Sequence, residues 1–241
     1  MLIDIIDLEN SFISGLKKMC LPPLPWKPFH HYLEEMQKWN ERINLTAITN
    51  PVEIIERHFL DSLSILTVID DMKCSKNDKN VPRETFCPTS GSSSQFSLLD
   101  IGTGAGFPGI PIKIALPDVH VTLVEPIKKR VDFLKQVIRR LGLDGISVLH
   151  RGVDEGVSIG RYDIVTSRAT FKLDEFISLA SSQAASGGFI VAMKSTTEEV
   201  SMEIRHAELL LPSLSFSPFK IYDYTLPFSN APRQLLVTVK Q

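Results

Sequence analysis

A cluster of glycines directly behind a short apolar run is the feature of this sequence with the clearest chemistry. Four glycines fall within eight positions after the apolar residues 97–101: Gly102, Gly104, Gly106 and Gly109. Glycines in such a turn allow positive φ and let backbone N–H groups approach a ligand closely. About twenty residues later a second apolar run ends in Glu125, an acid that suits a ribose diol. Together these features predict an adenosine-containing cofactor at the carboxyl ends of two strands.

The type of cofactor depends on the frame in which the glycines are taken. The stretch from Gly104 to Gly109 satisfies G-x-G-x-x-G, the dinucleotide fingerprint, but it begins several residues beyond the apolar run. Pro108 also stands where a pyrophosphate-binding helix would need a free amide. The frame from Asp100 to Gly106, D-x-G-x-G-x-G, has an acid at the strand tip and is typical of methyltransferases. It favours S-adenosylmethionine, while a nicotinamide cofactor and a merely connecting loop remain alternatives.

Helical patterns precede the glycine turn. Apolar residues recur at helical spacing through 3–19, 29–40 and 51–69, with a proline-rich break after the first pattern. Asn50 before a proline is expected to cap the third helix. Residues 73–96 are rich in Ser, Asn, Pro and Lys and have no apolar periodicity. This composition predicts a flexible linker.

Strand and helix patterns alternate after the linker, which predicts an α/β fold with a mostly parallel sheet and helices on both faces. Helices are expected at 127–141, 172–185 and 197–210. Seven strands are expected at 97–101, 119–124, 146–149, 162–167, 188–194, 219–224 and 234–240. The predicted organisation is a helical N-terminal segment at 1–72, the linker, and a cofactor-binding domain at 97–241.

Composition limits the class of protein. The formal net charge is -2 and the pI about 6.3, so contact with nucleic acid must come from a local basic face. The three cysteines are too few and too far apart for a zinc cluster, and no metal is expected. The N-terminus is acidic and no run of 18 apolar residues occurs, which predicts a cytoplasmic protein without membrane contact.

Longer motifs follow one another in a fixed order along the chain. They are Trp39-Asn40, Asn44-Leu45-Thr46, Arg57-His58-Phe59-Leu60-Asp61-Ser62, the glycine turn through Ile114, Lys129–Leu134, Ser167-Arg168-Ala169 and a terminal strand opening at Arg233. In this order they resemble the GidB (RsmG) family of bacterial 16S ribosomal RNA guanine-N7 methyltransferases. The resemblance covers most of the chain except the linker, which is longer than usual in the family. Lys194-Ser195 also stands where the family often has Lys-Gly.

The resemblance implies a Rossmann-like class I methyltransferase fold behind a helical N-terminal segment, with S-adenosylmethionine as cofactor. It implies 16S ribosomal RNA of the small ribosomal subunit as the partner; no DNA is expected, and the protein is expected to be a monomer. The cofactor-binding residues are expected to be Asp100, Gly102, Gly104, Gly106, Phe107, Glu125, Val153, Asp154 and Arg168.

Methylation at guanine N7 requires orientation more than proton transfer, because N7 carries a lone pair and no proton. Arg168 or Lys194 could donate to guanine O6 and fix that edge of the base. The alternative for each is an ion pair with a neighbouring acid. His58 shares its predicted helix with Arg57 and Asp61, which favours a structural role for the imidazole.

Basic residues predict the RNA-binding surface. Lys128, Lys129 and Arg130 begin a helix beside the glycine turn, although such a stripe is often only a solvated face. The family motifs add Arg57 and Arg233. Two other functions remain open from the sequence: a ribosome-associated protein that binds S-adenosylmethionine without transfer, and a nicotinamide-dependent oxidoreductase.

Overall fold

A computed structural model describes residues 4–69, 96–154 and 156–241. The predicted linker at 73–96 therefore lies outside the described residues apart from Phe96, and the predicted boundary at residue 72 also lies outside them. No helix among the described residues has both the length and the apolar character needed to cross a membrane.

The first two predicted helices are present with somewhat different bounds. Helix α1 spans Ile5–Lys18 and α2 spans Trp26–Ile43. The second begins three residues before its predicted start, within the proline-rich stretch. Pro28 is accommodated because the first backbone N–H groups of a helix have no acceptor inside it.

The predicted helix over 51–69 is interrupted. Helix α3 covers Pro51–Ile54, a π-helical turn covers Ile55–Leu60, and α4 covers Asp61–Leu63 before the chain becomes helical again at 66–69. Asn50 caps α3 through two backbone N–H groups, as predicted. Turns of π-helix are rare and recur at functional sites. This one carries the Arg57-His58 motif.

Strands and helices alternate from residue 97 onward, as predicted. The strands are β1 (Ser97–Ile101), β2 (His120–Val124), β3 (Ile146–Leu149), β4 (Tyr162–Arg168), β5 (Ala184–Ser195), β6 (Lys220–Thr225) and β7 (Pro232–Val239). The helices are α5 (Gly109–Ala115), α6 (Lys128–Leu141), α7 (Leu173–Ser181) and α8 (Glu198–Leu210). Helix α5 is missing from the sequence prediction because nearly all its residues are buried, which leaves no amphipathic period.

The described strands form one seven-stranded sheet in the order β3-β2-β1-β4-β5-β7-β6. Strands β1 to β5 are parallel, whereas β7 runs antiparallel to both β5 and β6. The predicted class, a mostly parallel Rossmann-like sheet, is confirmed. Strand β1 lies between β2 and β4, so the chain continues to opposite sides of it. Ligands in such sheets bind at this crevice, beyond the carboxyl ends of the strands.

Helices cover both faces of the sheet. Ile177 of α7 and Ala207 of α8 belong to the apolar core on one face. The other face shares a continuous core with the N-terminal helices, in which Phe12, Tyr32 and Phe59 are fully buried. The helical segment therefore packs directly on the face of the sheet next to the crevice, and its separation as a unit of its own stays a prediction.

Candidate active site

A cavity of about 320 Å³ opens at the carboxyl ends of β1, β2 and β4. This volume is at the lower end for sites that bind small molecules. Six residues predicted from the sequence line it: Gly102, Gly104, Phe107, Glu125, Arg130 and Arg168. The crevice predicted from strand order is thus the place where these residues meet.

Asp100 stabilises the glycine turn from its buried side. Its side chain is fully buried, and Oδ2 accepts hydrogen bonds from Thr103 Oγ1 at 2.6 Å and Gly109 N at 2.9 Å. Oδ1 has no partner among the described residues. Burial raises the pKa of this carboxyl to about 6, against the opposing effect of the two hydrogen bonds. Asp100 does not line the cavity, so the described contacts give it the role of closing the turn.

The glycine turn requires glycine for two different reasons. A Cβ on Gly102 would lie 2.7 Å from Thr170 Cγ2, and the Thr170 hydroxyl donates to Gly102 O at 3.0 Å, so this position needs close approach. Gly102 and Gly104 both have a positive φ, 69° and 61°, but Gly104 has open space around the Cβ position, so there the backbone conformation alone favours glycine. Gly106 packs against Tyr32, whose hydroxyl donates to Ala105 O.

Glu125 follows β2 and closes the other side of the turn. The residue is 1% exposed, yet its carboxylate lies at the cavity wall. Oε2 accepts from Gly104 N and Oε1 from Ile127 N, both at 2.9 Å, and Arg130 Nη1 lies 3.7 Å from Oε1. A carboxylate oxygen has two acceptor positions, so each can still receive a hydroxyl group. These acceptor oxygens therefore fit the hydroxyl donors of a ribose diol.

Phe107 joins the glycine turn to the N-terminal helices. Its ring is 4.8 Å from that of His58 and 5.4 Å from that of Tyr32, centroid to centroid, and both pairs are stacked. The Arg168 guanidinium lies 5.0 Å from the centre of the same ring. Such a contact between a cation and a ring is favourable and directional. Phe107 thus lies between the two sides of the cavity.

Arg168, the last residue of β4, is held by several partners. Nη1 donates to Arg57 O at 2.7 Å and lies 3.2 Å from Asp61 Oδ2, while Nη2 is 3.1 Å from His58 Nδ1. Its side chain is 16% exposed and lines the cavity. The guanidinium is paired with an acid, as in the predicted alternative, and it still faces the cavity, so its contact with guanine stays a prediction.

His58 is a neutral imidazole with a defined tautomer. An arginine can only donate, so Nδ1 accepts from Arg168 and Nε2 carries the proton that it donates to Thr46 Oγ1 at 2.8 Å. Burial, and then the Arg168 charge, lower the pKa of His58 to about 3. Because both ring nitrogens are engaged, the described contacts match the structural role that the sequence favours for His58.

Asn40 fixes the loop that carries Thr46. Its Nδ2 donates to Thr46 O at 3.0 Å and its Oδ1 accepts from Thr46 N at 2.9 Å. The motif residues Asn40, Thr46, His58 and Arg168 therefore form one chain of hydrogen bonds from α2 to the cavity. These contacts explain why the two short motifs occur together in the sequence.

Asp61 connects Arg168 with the antiparallel end of the sheet. Its Oδ1 accepts from the Tyr224 hydroxyl at 2.8 Å and lies 3.7 Å from Arg233 Nε. Burial and the Asp61 charge raise the pKa of Tyr224, so the phenol stays protonated as the donor. The predicted residue Arg233 is thus next to the cavity wall on the Arg168 side.

Five of the residues predicted to contact the cofactor or the guanine are absent from the described lining of the cavity: Asp100, Gly106, Val153, Asp154 and Lys194. Lys194 Nζ is 2.8 Å from Glu203 Oε2 and donates to Phe171 O at 2.6 Å, so the described contacts match the predicted alternative of an ion pair. Among the described residues that line the cavity, neither Val153 nor Asp154 occurs. Both follow β3, and the assignment of the adenine-binding role to them stays a prediction.

The basic residues predicted to bind RNA differ in whether their side chains are paired with an acid. Lys128 is paired with Asp132 on the exposed side of α6, and Lys129 is exposed beside it. Arg57 Nη1 lies 3.7 Å from Glu53 Oε2 in an exposed pair. Exposed pairs of this type contribute little stability and separate readily, so their RNA-binding role stays a prediction.

Several residues of the cavity are missing from the sequence prediction. His58 and Thr46 were visible as parts of motifs, but no periodicity indicates that a loop and a π-helical turn meet β4. No sequence pattern indicates that the loop after β4 contributes to the lining of the cavity. The remaining unpredicted residues of the lining include Leu45, Thr103, Ile127, Thr170 and Phe171.

Known proteins with a similar fold include an O-methyltransferase from Bacillus cereus, solved in complex with SAH. The two chains share 15% identity with a TM-score of 0.58, and the match covers 97% of this chain and 100% of the other. A methyltransferase structure from Aquifex aeolicus, described as SAM-dependent, matches with a TM-score of 0.50, 12% identity and 81% and 97% coverage. These likenesses concern the fold.

Sequence relatives are much more similar. The ribosomal RNA small subunit methyltransferase G of Myxococcus xanthus is 38% identical over 213 residues, covering 87% of this chain and 85% of the relative. The protein of the same name from Lachnoclostridium phytofermentans is 34% identical over 238 residues, covering 96% and 89%. The family model GidB, described as rRNA small subunit methyltransferase G, matches residues 26–78 and 86–221. The chain therefore belongs to the GidB family.

Proposed function

We propose that this protein transfers the methyl group of S-adenosylmethionine to N7 of a guanine in 16S ribosomal RNA of the small ribosomal subunit. Membership of the GidB family supports methyl transfer to small-subunit ribosomal RNA. The observation that carries the proposal at the level of residues is the cavity itself, which has the glycine turn and Glu125 on one wall and Arg168 on the opposite wall.

The residues present fit the cofactor. Gly104 leaves open space where a side chain would stand, and Glu125 keeps an acceptor position on each oxygen. In our proposal Glu125 accepts the ribose hydroxyls, and Gly102, Gly104 and Phe107 form the adjoining wall, while Val153 and Asp154 border the adenine from beyond β3. When bound, S-adenosylmethionine supplies a methyl group on a positively charged sulfur.

On the target side, the chain orients the base and does not need to remove a proton. N7 has a free lone pair, so a general base is not required for its attack on the methyl carbon. Arg168 is held at three points and donates to guanine O6, the interaction that arginine makes with guanine elsewhere. His58 contributes by fixing the guanidinium. We further propose that the protein works as a monomer in the cytoplasm.

Two measurements test the proposal. Calorimetry should detect binding of S-adenosylmethionine and not of NAD. Small subunits that lack the modification should accept label from methyl-labelled cofactor, and cleavage at N7-methylguanine should map it to one nucleotide. Subunits already methylated at that nucleotide serve as the control and should accept none. Cofactor binding without incorporation into any ribosomal particle would leave only the non-catalytic binding protein.

A further inference from the structure

We propose that Asp61 is a positioning residue that holds Arg168 and Arg233 together as one site for an RNA phosphate beside the target base. The inference rests on the proposed methyl transfer to RNA and adds the group that organises the RNA side of the cavity.

The geometry places one carboxylate between two arginines from different strands. Asp61 begins α4 and is 5% exposed. Its Oδ2 is 3.2 Å from Arg168 Nη1, and its Oδ1 is 3.7 Å from Arg233 Nε and accepts from the Tyr224 hydroxyl at 2.8 Å. Strand β5 lies between the strands that carry the two arginines. Asp61, on helix α4, therefore contacts one arginine on β4 and one on β7, although β5 separates these two strands.

The charged groups around Asp61 have an excess of positive charge, which favours the binding of an anion. Two guanidinium groups surround one carboxylate, so the cluster of Asp61, Arg168 and Arg233 retains a net positive charge. The arginine side chains are 16% and 24% exposed, whereas that of Asp61 is 7% exposed, so the cations face outward and the acid faces inward. Arg168 uses three of its five N–H groups on Arg57 O, Asp61 and His58, which leaves one for guanine O6 and one for a phosphate oxygen. Arg233 supplies the paired N–H donors with which guanidinium groups bind phosphate. An RNA phosphate fits this arrangement.

Without the carboxylate the two cations would lose their common partner. The two guanidinium groups contact the same carboxylate, and like charges brought together in this way repel, most strongly where solvent is partly excluded. Arg168 would also lose one of the contacts that keep its guanidinium over the Phe107 ring. We therefore expect substitution of Asp61 to move both arginines and to weaken RNA binding without touching the cofactor wall.

Glu56 provides a matched control for a purely structural role. It is a second buried carboxylate, 4% exposed, in the π-helical turn just before Asp61. Its Oε1 accepts from the backbone N–H groups of Phe228 and Ser229 at 2.6 and 2.7 Å, so it fastens the β6–β7 loop. Loss of either carboxylate weakens the same packing, but only Asp61 contacts the two arginines.

The test compares Asp61→Asn with Glu56→Gln on unmodified small subunits. For Asp61→Asn we expect kcat/KM for the subunit to fall about 100-fold, since small displacements at a site have effects of that size. Its affinity for S-adenosylmethionine should stay within about threefold, and the salt dependence of subunit binding should decrease by about one phosphate contact. Glu56→Gln should lower the unfolding midpoint and keep kcat/KM within about threefold of the wild-type value. Asp61→Glu should restore part of the activity.

Several results would overturn the inference. Equal effects of Asp61→Asn and Glu56→Gln on kcat/KM would reduce Asp61 to a packing residue, and so would an unchanged salt dependence. If Asp61→Asn does not fold, Arg233→Gln carries the test, because it leaves the Asp61–Arg168 pair intact. It should lower both subunit binding and the salt dependence, and unchanged values would reject the site. A wild-type protein that methylates no subunit would instead refute the proposed function.

Discussion

The two walls of the cavity are built in different ways. The cofactor wall, residues 100–130, comes from one contiguous stretch and is closed largely by backbone groups, as where Gly104 N donates to Glu125. The target wall is formed by the side chains of Thr46, His58 and Arg168. They are held from behind by Asn40, Asp61 and Arg233, so the whole arrangement draws on three distant regions of the chain. A wall made of backbone depends on conformation at a few glycines. A wall made of side chains depends on many partners that are far apart in the sequence.

The largest effect is expected when a side chain enters the cofactor wall. Gly104→Asp should weaken S-adenosylmethionine binding at least about 1,000-fold, because it places a second carboxylate in the cavity next to Glu125. Gly142→Asp is the matched control, since Gly142 has a φ of 60° and open space but caps α6 away from the cavity. Calorimetry on both folded variants measures the difference. Similar losses in both would mean that backbone strain, and not the cavity, is responsible.

The next effect concerns the target wall. Arg168→Lys keeps the charge but cannot reproduce the contacts to Arg57 O, Asp61 and His58 together. We expect kcat on small subunits to fall about 30-fold, with cofactor affinity within about threefold. Arg161 stands directly before β4, at the end of the strand away from Arg168, and its side chain donates to Ser182 O. Arg161→Lys is therefore the control and should behave like the wild-type protein. A parallel loss of cofactor affinity would show that the two walls do not act separately.

The two walls should also respond to acid in opposite directions. The pKa of Asp100 is raised from 3.8 to about 6, so its contribution to stability is fully present below pH 3.8 and is lost as the pH rises through about 6. The pKa of His58 is lowered from 6.5 to about 3, so its contribution is present above pH 6.5 and is lost as the pH falls toward 3. Each effect approaches about 1.4 kcal/mol per pH unit in the free energy of unfolding.

Urea unfolding between pH 4 and pH 7 separates these two contributions. Asp100→Asn should make the protein lose stability faster on acidification, because the gain from the buried carboxyl is removed. His58→Gln should make the loss slower. Identical pH slopes in both variants and the wild-type protein would contradict the opposite contributions.

The smallest effect is expected outside both walls. Lys194→Met removes the ion pair with Glu203 and the bond to Phe171 O, so the loop after β4 loses support. We expect a lower unfolding midpoint and a change in kcat/KM of about threefold or less, since Lys194 does not line the cavity. Steady-state kinetics would reveal a direct contact with guanine as a loss of about 100-fold.

The contrast between the two walls also explains how much of the fold and of the site could be predicted from the sequence. The sheet, its seven strands and the glycine turn follow from local periodicity and from glycines at fixed spacing. Helix α5 escapes prediction because it is buried on all sides, and the π-helical turn escapes because it keeps the helical pattern. The order of β6 and β7 in the sheet depends on long-range pairing that periodicity does not contain.

The target wall could be predicted only in part. The motifs around Asn40 and His58 contributed to the resemblance to the family, but they did not indicate that these residues are linked to Arg168 by hydrogen bonds. Lys194 was predicted as a possible partner of guanine because it lies near the carboxyl end of β5, yet it is paired with Glu203, nine residues later. Which of several acids pairs with a given cation is decided by tertiary packing, and a single sequence does not specify it.

The contact between Tyr224 and Asp61 has a consequence for the order in which the site assembles. The bond from Gly104 to Glu125 closes a loop of 21 residues, whereas Tyr224 and Asp61 are 163 residues apart. Closing a long loop costs more conformational entropy, and proteins rich in distant contacts fold more slowly. The glycine turn can therefore form early in folding, while the arrangement of arginines is completed only when the last strands join the sheet. A partly folded chain would complete the glycine turn before the cluster of Asp61, Arg168 and Arg233.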